Sequence, residues 1–268
     1  MPRLRHYVGP CWPLDVAAYD YAVDLCPSDV AWEFLRRNSD YQRDFRLQRR
    51  GDQRPRQLKS GQWMTRLRRA PANAGKWGVY SFCDPKLSAP QAGVCWTIGT
   101  ASPTLDVIAD RSINEPDLHL HGHVAVTHMI VGPNGREHVV LRDAHHAVTL
   151  RVEGARVSLG GIIVTFLIKG VPNPVNVAPQ FSMLNHLIVS PRVSAQRSRT
   201  RIFMRDALVA LDARQLGATY RETATMIHGA QRARAAWSST STAMKERMRH
   251  LLARGQALRD GAYRSLLG

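Results

Sequence analysis

The spacing of apolar residues changes twice along this 268-residue chain, and that change limits the fold more than any other feature. Residues 14–48 read as helical. "DVAAYDYAVDL" carries apolar residues at helical intervals, and Pro27-Ser28-Asp29 interrupts it with Ser28 or Asp29 free to cap. "VAWEFLRRNSDYQRDF" follows, with Trp32, Leu35, Tyr41 and Phe45 at helix-like spacing. Residues 79–190 instead show short β-branched runs: "GVYSF", "GVCWTI", "LDVIA", "HVAVTHMIV", "HVVLRD", "AVTLRV" and "GGIIVTFLI". Turn signals such as Gly132-Pro133-Asn134-Gly135 and Glu153-Gly154 separate them, and Pro172, Pro174 and Pro179 close the section. From about Thr200 the helical period returns. The order predicts an α+β fold. It has an N-terminal helical domain (1–48), a basic linker (49–78), a β-rich section with a small antiparallel sheet (79–190), and a C-terminal helical domain (191–268).

Charge follows the same division. The chain holds 37 Lys and Arg against 21 Asp and Glu, a formal charge of +16. Residues 35–69 carry +9 and residues 187–268 carry +10, whereas 70–186 are neutral and 1–34 are at −3. Two basic segments flanking a neutral one point to a polyanionic partner. Most of the cations are Arg, whose planar fork suits phosphate and guanine edges. The N-terminus has no apolar stretch of a signal peptide. Cys11, Cys26, Cys83 and Cys95 show no paired spacing, so reduced thiols and a cytoplasmic location are expected, nucleoid-associated when bound.

The C-terminal segment carries the sharpest local pattern. Met204, Leu208, Leu211 and Leu216 form one stripe, and Gly217 ends it. Thr219 with Glu222 makes a capping box for "YRETATMIHG". A third helix is expected over about 239–254, with Met244, Met248, Leu251 and Leu252 inward and Thr242, Lys245, Glu246 and Arg249 outward. Three helices in this order are the parts of a helix-turn-helix, whose third helix enters the major groove. The connection from Gly229 to Ser238 is longer than the usual turn. "AQRARAAW" either adds helical turns or loops out, with Arg232 and Arg234 available to phosphate. The hydroxyl-rich cluster Ser238–Thr242, including Thr240 and Ser241, leaves the start of the recognition helix open.

The stretch "RDALVALDARQLGATYRETATMIHG", with "MKERMRHLLARGQALRDGAYRSLL" after it, resembles an extended-turn variant of the helix-turn-helix. That domain is found in proteobacterial regulators of integrative and conjugative elements. "DVAAYDYAVDLCPSDVAWEFLRRNSDYQRDF" is similar to the regulator-like domain that accompanies it in the activators, such as the excision activators of rhizobial symbiosis islands. The strand-rich "HVVLRDAHHAVTLRVEGARVSLGGIIVTFLIKG" resembles their middle section. The resemblance implies an activator that binds double-stranded DNA through a basic C-terminal face while the opposite face packs on the N-terminal domain. It also implies recruitment of RNA polymerase, and an antiactivator of the same family that competes for the N-terminal domain. On this chain the DNA contacts are expected from Thr242, Lys245 and Arg249, with Arg221 and Arg247 toward phosphate. Trp32, Phe34, Leu35 and Tyr41 are then candidates for the interdomain contact, or equally for the small domain's own core.

A rival reading starts from His119, His121 and His123, which alternate and share one face of a strand. Three imidazoles suit Zn²⁺ or Fe²⁺, as in a cupin-like metal enzyme. Glu137 is poorly placed to add a carboxylate. A third possibility is a purely protein-binding antiactivator, which the +10 tail disfavours. No catalytic residue, cofactor or metal ligand is assigned from the sequence, and no enzyme is expected.

Overall fold

The computed structural model describes residues 14–48, 55–59, 61–69, 72–100, 102–112, 114, 116–118, 126–168, 174–189, 198–239 and 242–268. The α+β reading holds: in chain order, helices at both ends flank the strands. The first helical stretch, Val16–Asp24, is a 3-10 helix that starts at Asp15, whose carboxylate accepts from Ala17 N. Helix α1 (Pro27–Leu35) begins with proline, whose missing N–H costs nothing at that position. Helix α2 (Ser39–Leu47) is capped by Asn38, which accepts from the N–H groups of Asp40 and Tyr41.

The sheet is larger than the sequence pattern suggests, and it is mixed. It has seven strands: β1 (Arg56–Gln57), β2 (Trp63–Arg66), β3 (Thr104–Arg111), β4 (Val126–Val131), β5 (Glu137–Arg142), β6 (Ala147–Gly154) and β7 (Ile162–Leu167). Their order is β1-β2-β4-β5-β6-β3-β7. Four pairings are antiparallel, but β2–β4 and β3–β6 are parallel. Two strands come from the stretch read as a linker, because Trp63 and Met64 find pairing partners in His128 and Met129. The runs "GVYSF" and "GVCWTI" make only the isolated bridge Val79↔Trp96. Between these runs lies a single helical turn, α3 (Ala89–Ala92), with the Ser88–Gln91 capping box.

Pro174 opens a helix after β7 instead of merely closing the sheet. Helix α4 (Pro174–Val189) contains Pro179 and buries Leu184 and Leu187 against the sheet. Val107, Met129, Val139, Leu141, Leu150 and Ile162 supply the other side of that core. Leu67, Cys95, Ile130 and Val140 form a smaller cluster beside Tyr80.

Helix α5 (Arg199–Gln215) starts at Ser198, which accepts from Arg201 N, and ends before Gly217. Gly217 has φ +87°, a conformation that disfavours side chains. Thr219 and Glu222 make the expected reciprocal capping box on α6 (Tyr220–His228). The long connection is itself helical: α7 (Ala230–Ser238) replaces the extended turn. Helix α8 (Ala243–Arg259) starts later and runs further than the expected 239–254, and a 3-10 turn, Ala262–Leu266, follows it. The two ends of the chain share one core. Trp32, Phe34, Leu35 and Tyr41 belong to the same buried cluster as Leu208, Leu211, Met248, Leu251, Leu258 and Tyr263.

Candidate nucleic-acid interface

Helix α8 is two-sided by its spacing. Met248, Leu251, Leu252, Gly255 and Leu258 are buried. Thr242, Lys245, Glu246 and Arg249 fall on the other side and are exposed. Packing of the apolar stripe against α5 therefore decides which way the polar stripe faces. Arg249 bonds Glu246 one turn before it, an exposed pair that contributes little to stability. Arg221 on α6, Arg232 and Arg234 on α7, and Arg247 on α8 are also exposed. Trp237 is half-buried against the helical core, and Ala233 is the buried residue of α7. Thr240 and Ser241 lie outside the described residues, as do His119, His121, His123 and Cys11.

Three basic residues of the C-terminal segment, Arg201 and Arg205 on α5 and Arg264 in the tail, are spent on the rest of the protein. Arg201 donates through Nη1 to the carbonyls of Val23 (3.0 Å) and Leu25 (2.8 Å) and through Nη2 to that of Ala144 (3.1 Å). Arg205 pairs with Asp20 at 2.7 Å, and Arg264 donates to the carbonyl of Lys76 at 2.6 Å. By contrast, Arg221, Arg232, Arg234, Lys245 and Arg247 make no ion pair among the described residues. Arg247 is close enough to His228 to act on it. Burial, then the Arg247 charge, holds that imidazole below its ordinary range. Thr242 occupies the N-cap of α8 without a side-chain bond to the helix.

Trp32 and Tyr41 are fully buried, but their polar atoms bond the segment after the linker. Trp32 Nε1 donates to the Leu87 carbonyl at 3.1 Å. The Tyr41 hydroxyl donates to the Cys83 carbonyl and accepts from the Cys83 N–H, both at 2.9 Å. Phe34 and Leu35 are buried in the shared core. The polar contacts that join N- and C-terminal helices fall on residues the sequence did not mark. Arg37 forks onto Asp212, and Tyr19 donates its hydroxyl to the same carboxylate at 2.8 Å. Asn38 Nδ2 donates to the Arg259 carbonyl at 3.0 Å, and the Tyr263 hydroxyl donates to the Trp77 carbonyl at 2.9 Å. Glu33 braces Arg37 from within α1 at 2.8 Å. Only the four-residue spacing of Glu33 and Arg37, at the end of α1, is a local signal for any of this.

Residues 183–268 match a family model described as "T6SS, Transcription factor, DNA binding domain". Residues 14–79 match one described as "Proteobacterial transcriptional regulator-like domain". No curated protein matches the chain. The first match spans α5 to the C-terminal turn and enters α4, whereas the second covers α1, α2 and the first two strands.

Proposed function

On the premise that these two end domains make the chain a DNA-binding transcriptional regulator, we propose that it is an activator. Its α8 reads the major groove of double-stranded DNA, with Thr242, Lys245 and Arg249 toward bases. Arg221, Arg232, Arg234 and Arg247 supply phosphate contacts. One observation carries this reading: Arg201 and Arg205 of α5 and Arg264 of the tail are committed to the rest of the protein, while Arg221, Arg232, Arg234, Lys245 and Arg247 of α6, α7 and α8 are exposed without an ion pair among the described residues. A surface left with unneutralised Arg at this density costs self-repulsion and gains when phosphate approaches. The open N-terminus of a 17-residue helix adds a favourable position for one more phosphate.

The N-terminal domain gives the activator its partner surface, with RNA polymerase as the productive partner and an antiactivator of the same family as competitor. The regulated process is excision or transfer of a mobile genetic element, a target that rests on the sequence resemblance. Mapping of bound sites across the genome tests it, because binding scattered without a promoter of such an element defeats the choice of target. The assignment of α8 is tested by Lys245→Ala combined with Arg249→Ala. Affinity should drop, and the slope of log affinity against log salt should shrink by about 0.9 for each phosphate no longer neutralised. Unchanged gel-shift affinity in the double variant would overturn the recognition-helix assignment.

A further inference from the structure

Away from the basic helices, the hairpin turn between β5 and β6 brings Asp143 and His146 against His186 of α4. The turn shapes the carboxylate itself. Asp143 N–H donates to the His146 carbonyl at 2.9 Å, and Asp143 Oδ1 accepts from the N–H groups of His145 (2.7 Å) and His146 (2.8 Å). The other carboxylate oxygen, Oδ2, stands 3.4 Å from His186 Nε2. His146 Nδ1 stands 3.5 Å from Oδ1, and the two imidazoles meet edge to face with centroids 5.3 Å apart. One donor atom from each residue lies within 4.8 Å of the others. His186 Nε2 is buried and makes no hydrogen bond among the described residues.

We propose that Asp143, His146 and His186 form a site for a divalent transition metal of the zinc class, bridging the β5–β6 turn to α4. Two imidazoles and one carboxylate are a donor set that zinc takes at about 2.0–2.1 Å. Around a tetrahedral ion, bonds of that length set donors about 3.4 Å apart, which is the spacing already present between the nitrogens and the Asp143 oxygens. The N–H bonds to Oδ1 hold the carboxylate as an outer shell does in established sites. Both histidine side chains retain partial exposure, 34% and 27%, so the ion has an entry path and room for water as a fourth ligand.

The position gives the site a use. His186 lies within the matched DNA-binding segment, whereas Asp143 and His146 lie outside both matched segments. The same turn presents the Ala144 carbonyl and His145 Nδ1 to Arg201, near the start of α5. A bound ion would thus lock the turn that seats Arg201. It would tie the sheet to the DNA-binding domain without touching the basic face.

The test uses untagged full-length protein titrated with Zn²⁺, and Co²⁺ as an optical probe. The proposal expects one equivalent bound and the intense visible bands of tetrahedral Co²⁺, bleached by Zn²⁺. His146→Gln and His186→Gln should each weaken binding at least tenfold, since loss of an outer-shell partner alone costs about 10–100-fold. His145→Gln, one residue away, should leave binding intact. Thermal melts show whether each variant folds; if either does not, the wild-type Co²⁺ spectrum decides alone. Absence of uptake, a weak octahedral spectrum, or equal loss in His145→Gln overturns the site. The first of these results would leave the cluster as a proton-bridged Asp–His contact.

Discussion

Arg37 and Asp212 form a buried two-pronged ion pair between the N-terminal helices and α5, with Arg37 Nε 2.9 Å from Oδ1 and Nη2 2.9 Å from Oδ2. The two residues are 175 positions apart in the chain. Side-chain exposure is 6% and 1%, so neither charge is compensated by water. Glu33 and Tyr19 complete the group, and the Arg37 guanidinium is held well above its ordinary range despite burial, because Asp212 and Glu33 face it. A buried pair of this kind adds little net stability over an apolar substitute, but removing one partner strands the other. Asp212→Ala should therefore cost about 3–5 kcal/mol in urea unfolding. A loss under about 1 kcal/mol, the range of exposed pairs, would show that the pair does not hold the domains together.

Glu33 gives the same junction a pH dependence. Burial opposes its ionisation, but Arg36, Arg37 and the Ala89 N–H together outweigh burial and bring the carboxyl down to about 2. A carboxylate whose folded pKa is depressed stabilises the fold fully above the unfolded value, about 4.3. That contribution is lost as pH falls toward about 2. Stability should decline by about 2–4 kcal/mol across this window. Glu33→Gln should be less stable at neutral pH and should lose part of the acid slope between the two values, the share that Glu33 supplies. A variant with the wild-type acid slope would place the effect on another carboxylate.

His128 acts one window higher. Burial, with Arg142 adding, pushes its imidazole down to about 3, against the bond to the Gln91 carbonyl that raises it. Nε2 lies 2.8 Å from that carbonyl, while Nδ1 is buried with no hydrogen bond among the described residues. Only the neutral ring fits. The unfolded chain takes up the proton near pH 6.5 and the folded one does not, so stability falls as pH drops from about 6.5 toward 3. His138, pushed down to about 4 by burial and by Arg151 and Arg136, contributes in the same range. Unfolding midpoints measured from pH 7 to pH 5 should decrease steadily, and His128→Leu should remove part of that slope. No change in slope would mean the unfolded imidazole is not the group that responds.

The parts legible in the sequence are those where one chemical signal dominates. Strands β3 to β7 were visible because β-branched runs end at turn residues. The Thr219–Glu222 cap was visible because its four-residue motif is local. The stripe of α8 was visible because Met248, Leu251 and Leu252 repeat at helical spacing. Helix α4 was hidden by Pro174 and Pro179, which read as breaks until the sheet gave Leu184 and Leu187 something to cover. Strands β1 and β2 were hidden in an Arg-rich stretch, since their pairing with β4 is long-range. Helix α7 has one buried residue, Ala233, and so no stripe to detect. In the candidate site the cations were legible from charge alone. Asp212 was not, because an aspartate in "ALDARQ" looks like a surface acid until Arg37 arrives from the other end of the chain.

Gly255 sets the distance between α8 and α5, and through it the angle at which the basic stripe leaves the core. A Cβ at this position would stand 2.9 Å from the Ala207 carbonyl oxygen and 3.5 Å from Leu211 Cβ. Backbone on the facing helix cannot rotate away as a side chain would, so a branched residue must push the helices apart. Gly255→Val should lower stability by about 1–3 kcal/mol. Because α8 leans on α5 through Met248 and Leu251 as well, its exposed first half should tilt rather than unfold. The consequence for binding is separable from charge removal. Every cation remains, so affinity for DNA should fall while the salt slope stays near that of the wild type, unlike the Lys245→Ala, Arg249→Ala double variant. A folded Gly255→Val protein with wild-type affinity would show that the α5–α8 crossing does not set how α8 meets DNA.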